Sequence, residues 1–223
     1  MRHVIAFLFR GVLLAAILFV WWWALNAPLS NVMNLVIIVG GALLMIPLVW
    51  IGRKILDRHH TMSRVAWITT FVHLAIGLTF GVALMRALTT HQDWSVCVLP
   101  VPAEIGLVLV IVTGAGSFVT VANLALKGLG APFFIVLSQK LATGWMYAWT
   151  RNPMLLAGFA FFLSLGIMFQ STFFELWVLI IVVPEFLFFV KVYEERELEF
   201  RFGRPYLEYK ARTPMLFPKK PRG

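Results

Sequence analysis

Six runs of apolar residues divide this 223-residue chain, and each is a candidate for a membrane-spanning helix. A helix needs about 20 such residues to cross the hydrocarbon core of a bilayer. The runs are 11–25, 32–51, 65–88, 101–124, 154–169 and 173–192, of which the first and fifth are short. Only 13% of the residues are charged, against about 25% in soluble domains. The sequence therefore predicts an all-α polytopic membrane protein with about six transmembrane helices.

The lysine and arginine residues predict the orientation of these helices, because cytoplasmic segments of membrane proteins are enriched in them. With the N-terminus in the cytoplasm, six spans leave all but one of the 19 Lys and Arg residues on that side. The exception is Arg86, near the outer face. We therefore expect an integral membrane protein whose N- and C-termini are both cytoplasmic.

The net charge of +9 raises the question of nucleic acid binding. The basic residues are scattered between apolar runs, however, which favours contact with anionic lipid headgroups. The sequence therefore predicts membrane lipids, and no nucleic acid, as partners. A single cysteine, Cys97, excludes a disulfide framework or a cysteine-rich metal site, and we expect no metal.

Two segments outside the spans have compositions that suit the membrane surface. Residues 131–149 mix aromatic and basic side chains, which is typical of a segment lying in the interface. Residues 194–212 are strongly charged and should continue the last span into the cytoplasm, with Glu197 and Glu199 on a solvated helix face. The Gly-Arg-Pro sequence at 203–205 should break this helix, because glycine loosens the backbone and proline lacks an amide donor.

One carboxylate, Glu185, lies within the last apolar run and follows Pro184. A charged group at this depth is costly unless it is paired or protonated. The proline frees a backbone carbonyl one turn earlier and should kink the helix. Two interpretations remain open: Glu185 serves a site opened by the kink, or it is protonated and bonded to a neighbouring helix.

Charged and amide side chains meet at the cytoplasmic membrane surface if the last two spans form a hairpin. Arg151 and Asn152 precede the fifth span. Glu194 and Glu195 follow the sixth, so a short turn between the spans returns both groups to one face. Pro153 suits the first turn of a helix, whose free amides can face an anion. Such a cluster suits a zwitterionic or cationic ligand beside lipid, and a basic collar with scattered acids is the alternative.

Two blocks in the C-terminal third are more specific than this composition. Residues 139–158 read QKLATGWMYAWTRNPMLLAG, and residues 194–214 read EERELEFRFGRPYLEYKARTP. The order Tyr, Arg-Asn-Pro, Glu-Glu, Phe-Gly and Tyr-x-x-Tyr resembles the signature of the isoprenylcysteine carboxyl methyltransferase family and of the related phospholipid methyltransferases. The resemblance implies a membrane enzyme that transfers a methyl group from S-adenosyl-L-methionine.

The resemblance also implies, by position, which residues hold this cofactor. They are Gln139, Lys140, Leu141, Ala142, Tyr147, Asn152, Pro153, Met154, Leu155, Glu194 and Glu195. Arg151 is expected to orient a carboxylate or phosphate, and it is the expected catalytic residue together with Glu185. Carboxylates at 194 and 195 suit the cationic parts of the donor.

Asn152 departs from the eukaryotic family members, which usually carry histidine at this position, and asparagine cannot titrate. The acceptor therefore stays open between two lipophilic classes. An isoprenylcysteine-type carboxylate is already a nucleophile and needs only positioning. A phospholipid amine must first lose a proton, for which Glu185, Glu194 or Glu195 is the candidate base.

The same resemblance predicts a division of the chain. Residues 1–125 should form an N-terminal four-helix membrane region, and residues 126–223 a methyltransferase-like region with an interfacial segment, a helical hairpin and a C-terminal helix. Two other classes of function fit the hydrophobic content equally well: an NADPH-dependent membrane reductase, since sterol reductases have related folds, and a non-catalytic scaffold or transporter. Binding of S-adenosylhomocysteine or of NADPH distinguishes them.

Overall fold

The structure, a computed structural model, describes residues 2–58, 61–128 and 140–220. The helices are α1 (Arg2–Asn26), α2 (Asn31–Leu43), α3 (Met45–Arg58), α4 (Met62–Thr90), α5 (Ala103–Gly128), α6 (Met146–Trp149), α7 (Pro153–Met168), α8 (Thr172–Trp177), α9 (Val183–Phe189), α10 (Glu195–Phe202) and α11 (Arg204–Arg212). Two π-helical turns, Val178–Val182 and Val190–Glu194, join α8, α9 and α10 into one long helix. The predicted all-α class is confirmed for these residues.

The described residues contain four helices that are long and apolar enough to cross a membrane. They are Asn31–Arg58, Met62–Thr90, Ala103–Leu126 and Thr172–Phe202. Two shorter apolar helices, Gly11–Asn26 and Pro153–Met168, coincide with the first and fifth predicted spans. Each of the six predicted runs is therefore helical over most of its length, while six crossings and cytoplasmic termini stay predictions.

The main core lies between α2, α3 and α4 on one side and the long C-terminal helix Thr172–Phe202 on the other. Gly52 in α3 permits the closest approach, because a Cβ atom there would lie 2.5 Å from Val72 and 3.2 Å from the ring of Tyr193. The hydroxyls of Tyr193 and Thr69 form a buried hydrogen bond of 3.0 Å. These contacts fix the end of the helix that carries Glu194 against α4.

Helices α5 and α7 pack along each other in antiparallel directions. A Cβ atom at Gly106 would collide with the backbone of Met168, so glycine is needed where the two helices meet. Further along α5, Thr113 Oγ1 donates to Ser164 Oγ at 3.2 Å. Because both helices rise 5.4 Å per turn, the same antiparallel alignment places Asn123 of α5 level with the first turn of α7.

Arg86, the one basic residue predicted near the outer face, is buried in α4 with 4% of its surface exposed. Its Nη1 donates to the carbonyls of Ala24 at 2.6 Å and Ala27 at 3.0 Å. Its Nε donates to Asn34 Oδ1 at 2.9 Å. Because the last carbonyls of a helix have no partner within the helix, Arg86 closes the end of α1.

The break predicted at 203–205 is confirmed. α10 ends at Phe202, Gly203 adopts a φ of +57°, and α11 begins at Arg204. The expectation that Glu197 is solvated is wrong: it is 3% exposed, and Arg201 Nη1 donates to it at 2.8 Å. Glu197 lies one turn after the buried Tyr193, on the helix face that packs against α4.

Candidate functional site

The α7–α8 hairpin brings Arg151 and Glu195 together, as the sequence predicts. Arg151 Nη1 lies 2.8 Å from Glu195 Oε1, and the two side chains are 11% and 9% exposed. Nevertheless, Arg151 Nε, Arg151 Nη1 and Glu195 Oε1 make no hydrogen bond within the described residues. The pair is therefore held by charge at short distance, and the buried Nε of Arg151 stays available as a donor.

Lys210 is a second cation at Glu195, and it was absent from the predicted site. Its Nζ lies 2.8 Å from Glu195 Oε2 and 3.0 Å from Glu199 Oε1. Burial opposes its charge, but the hydrogen bonds with both carboxylates outweigh burial and raise the pKa of Lys210. The only sequence signal was its place directly after the Tyr-x-x-Tyr spacing. Glu195 is thus neutralised by two cations.

Glu194 differs from its neighbour. Its side chain is half-buried, and no ion pair or hydrogen bond ties it to any residue that the structure describes. It lies close to Tyr147: burial raises the pKa of the Tyr147 phenol, and the negative charge of Glu194 raises it further. Below we call Arg151, Glu194, Glu195 and Lys210 the charged cluster.

A group of buried aromatic residues forms the wall beside the charged cluster. Ala142, Tyr147, Tyr206 and Tyr209 are buried against one another, and Leu141 packs on them. Tyr209 Oη donates to the main-chain carbonyl of Tyr147 at 2.7 Å. This bond ties α11 to α6. Through these contacts, α11 positions three of the predicted cofactor residues, Leu141, Ala142 and Tyr147.

The chain after α11 returns along residues 149–152 and is held there by four hydrogen bonds. The bonds are Arg151 N to Pro214 O (2.9 Å), Lys219 N to Trp149 O (2.9 Å), Thr150 Oγ1 to Met215 O (3.1 Å) and Asn152 Nδ2 to Met215 O (2.8 Å). The Asn152 side chain therefore holds the returning segment and does not cap α7. The first amides of α7 have no side-chain cap, which leaves them free for a ligand.

The remaining predicted cofactor residues occupy varied surroundings. Pro153 is buried at the first turn of α7, as predicted, and Met154 and Leu155 are partly buried beside it. Lys140 is exposed. Gln139 lies outside the described residues.

Glu185 is not joined to the charged cluster. It is 4% exposed, and neither carboxylate oxygen has a hydrogen-bond partner within the described chain. Along the helix it lies about 13 Å from Glu194 at 1.5 Å per residue. The two π-helical turns flank it on both sides, and such turns often occur at functional sites. The interpretation of Glu185 as bonded to a neighbouring helix finds no partner in the described chain.

Asn123 in α5 is a polar residue that sequence reasoning missed. It is 1% exposed, and neither its amide nitrogen nor its amide oxygen has a partner in the described part of the chain. The α5–α7 register places it level with the first turn of α7, and the adjacent Leu124 packs on the tyrosine wall. An amide inside an apolar span was the available signal.

Comparison with known proteins gives a family for this region. The sequence model described as Phospholipid methyltransferase matches residues 102–204. The match starts at residue 102, before α5, whereas we predicted that the methyltransferase-like region begins at residue 126. The predicted division of the chain between residues 125 and 126 therefore stays a prediction. Neither the curated proteins nor the solved structures gave a match to the chain. Residues 102–204, which include Arg151, Glu194 and Glu195, therefore match the phospholipid methyltransferase family, and they include two of the four helices that are long and apolar enough to cross a membrane.

Proposed function

We propose that the protein is an integral membrane methyltransferase that uses S-adenosyl-L-methionine and acts on a lipophilic acceptor. The observation that carries the proposal is the charged cluster, of which Arg151, Glu194 and Glu195 lie inside the matched residues. It combines the buried Nε of Arg151, which has no hydrogen-bond partner in the described chain, with a Glu194 carboxylate that has no cation among the described residues. A buried polar group without a partner is costly, and a bound ligand would remove that cost.

The unsatisfied groups fit the charges of the proposed cofactor. S-adenosyl-L-methionine carries a carboxylate, an ammonium and a sulfonium, and it supplies the methyl group when bound. Arg151 suits the carboxylate, because a guanidinium presents several donors in one plane. Glu194 suits the ammonium or the sulfonium. Tyr147 and the uncapped start of α7 at Pro153 complete the proposed surroundings.

Glu195 has a different proposed role from Glu194. Since Arg151 and Lys210 already contact its two oxygens at 2.8 Å each, little of its charge is left for a ligand. We assign it to positioning Arg151. We therefore assign Glu194 to ligand binding and the adjacent Glu195 to positioning Arg151.

A phospholipid amine is the acceptor that this chain supports best. The matched family acts on phospholipids by its description, and an amine acceptor needs a base. Glu185 is a buried carboxylate with no hydrogen-bond partner among the described residues, so we propose that it takes this proton from an acceptor that enters from the bilayer. An isoprenylcysteine-type carboxylate needs no base and is the second acceptor to test.

Ligand titration of the detergent-solubilised protein tests the proposal. S-adenosylhomocysteine should bind, and NADPH should not, by isothermal titration calorimetry. Methyl transfer from labelled S-adenosyl-L-methionine should then be measured with phosphatidylethanolamine and with a prenylated cysteine. Binding of NADPH without S-adenosylhomocysteine would instead indicate a reductase, and binding of neither would leave a scaffold or transporter.

A further inference from the structure

A cavity of about 290 Å³ lies where the C-terminal segment returns to Arg151. Five of its eight lining residues are basic, namely Arg151, Lys210, Arg212, Lys219 and Lys220, and none is acidic. A concave surface lined by one sign of charge concentrates counter-ions. The charge of the lining therefore favours an anion over a cation.

The positive charge of this cavity is only partly balanced. Arg151 and Lys210 share the carboxylate of Glu195. The other three cations, at positions 212, 219 and 220, make no ion pair within residues 2–58, 61–128 and 140–220, and all three are exposed. An anionic ligand would therefore meet three cations whose charge no described carboxylate balances.

The walls of the cavity are fixed by backbone contacts. The hydrogen bonds from Arg151 N to Pro214 O and from Lys219 N to Trp149 O, both 2.9 Å, hold its two sides together. Between them, Met215 O accepts from Thr150 and Asn152. The backbone that carries these cations is therefore ordered before a ligand binds, which lowers the entropic cost of binding.

Exposed aromatic side chains beside the cavity indicate the source of the anion. Phe217, in the returning segment, is 77% exposed, and Trp149, whose carbonyl accepts from Lys219, is 47% exposed. Aromatic residues next to basic ones are typical of the headgroup level of a bilayer. A lipid presents its phosphate at that level.

We propose that this cavity binds the phosphate group of an anionic membrane lipid. The inference gives a binding role to residues 212–220, which lie beyond the phospholipid methyltransferase match, and it requires neither a methyl donor nor an acceptor. Arg151 forms the inner end of the cavity, and the lysine pair at 219 and 220 forms its outer wall. Phosphate suits such a site because its oxygens accept several charge-assisted hydrogen bonds at once.

Three probes test this proposal on the detergent-solubilised full chain. Dioctanoyl phosphatidylglycerol should bind by calorimetry, and dioctanoylglycerol, which has the same chains without phosphate, should not. Inorganic phosphate is the third probe. The double variant Lys219→Gln/Lys220→Gln should bind the anionic lipid about tenfold more weakly, the effect expected when hydrogen bonds to charged groups are lost. Higher salt should also weaken binding by the parent protein.

The matched control is the double variant Lys54→Gln/Arg204→Gln, which removes the same charge from exposed positions elsewhere. It should bind the lipid like the parent protein. S-adenosylhomocysteine affinity should be unchanged in both double variants, so failure here is distinguishable from failure of the proposed methyltransferase. Phosphate that binds as tightly as the lipid would support the anion site and identify free phosphate as its ligand. Equal losses in both double variants, or equal binding of both glycerolipids, would overturn the proposal.

Discussion

The hydroxyl of Tyr209 donates a hydrogen bond of 2.7 Å to the main-chain carbonyl of Tyr147, across 62 positions of sequence. Both residues are buried, and they come from the two blocks that carry the family resemblance. The contact explains physically why a Tyr-x-x-Tyr spacing accompanies the Arg-Asn-Pro motif. One tyrosine packs in the wall, and the other fixes the segment that leads to Arg151.

Removing that hydroxyl should loosen the wall of the proposed site. We expect Tyr209→Phe to destabilise the protein by about 1–3 kcal/mol, because a buried carbonyl loses its partner. S-adenosylhomocysteine affinity should fall as well. Thermal unfolding in detergent and calorimetry measure the two effects, with Leu207→Ala, at a residue 52% exposed, as the control on the same helix. A Tyr209→Phe protein with parental affinity would show that the bond does not position the site.

Substitutions at the two adjacent glutamates should have different effects on ligand affinity and on protein stability. Glu194→Gln should weaken S-adenosylhomocysteine binding about tenfold or more with little loss of stability, since no described residue pairs with it. Glu195→Gln should lower the melting temperature as well, because Arg151 and Lys210 lose their shared carboxylate. Glu208→Gln, in an exposed pair with Arg204, is the control. Identical behaviour of all three variants would point to general electrostatics.

Arg151 should not be replaceable by lysine. We expect Arg151→Lys to lose nearly as much cofactor affinity and turnover as Arg151→Ala, because a lysine offers a point charge and no planar set of donors. Arg204→Lys, at a side chain 89% exposed, should behave like the parent protein. An Arg151→Lys variant with most of its methyl transfer would reduce Arg151 to a charge that holds Glu195.

Glu185 should matter to turnover and not to folding. Glutamine keeps the size of the side chain and removes a buried carboxylate that has no partner in the described chain, so Glu185→Gln should be at least as stable as the parent protein. If Glu185 accepts the proton of an amine acceptor, kcat should fall while S-adenosylhomocysteine affinity is unchanged. Glu175→Gln, on the same long helix, is the control. Parental turnover in a folded Glu185→Gln protein would remove Glu185 from the mechanism.

The single cysteine offers a direct test of orientation. Cys97 is exposed in the segment between α4 and α5, which we predict from the charge distribution to face away from the cytoplasm. An impermeant thiol reagent should label it in intact cells. In a Cys97→Ser background, Ser63→Cys should be labelled only after the membrane is opened. The reverse pattern would contradict cytoplasmic termini.

Hydrophobic runs and motif spacing were sufficient to predict the helices and the meeting of Arg151 with Glu195. The reason is that a short turn between two apolar helices allows few alternatives to a hairpin. Pro153 likewise marked the start of α7, because a proline is harmless only at a first turn.

The partners of the site residues could not be predicted in the same way. Lys210 reaches Glu195 only because Gly203 turns α11 back towards α6, and Glu197 is buried only because α4 covers that face of the helix. The position of Asn123 beside the first turn of α7 depends on the α5–α7 register, which the close contact of Gly106 with the backbone of Met168 fixes. Such contacts join distant parts of the chain, and periodicity carries no information about them.

The bonds that Arg86 makes to Ala24 and Ala27 have a consequence for the order of assembly. The carbonyls at the end of α1 emerge from the ribosome about 60 residues before the side chain that satisfies them. During synthesis, these groups must therefore stay at the water-facing surface of the bilayer until α4 arrives. A nascent chain that stops before residue 86 should leave α1 loosely inserted in the bilayer. Insertion of α1 should become stable once the guanidinium of Arg86 reaches these carbonyls.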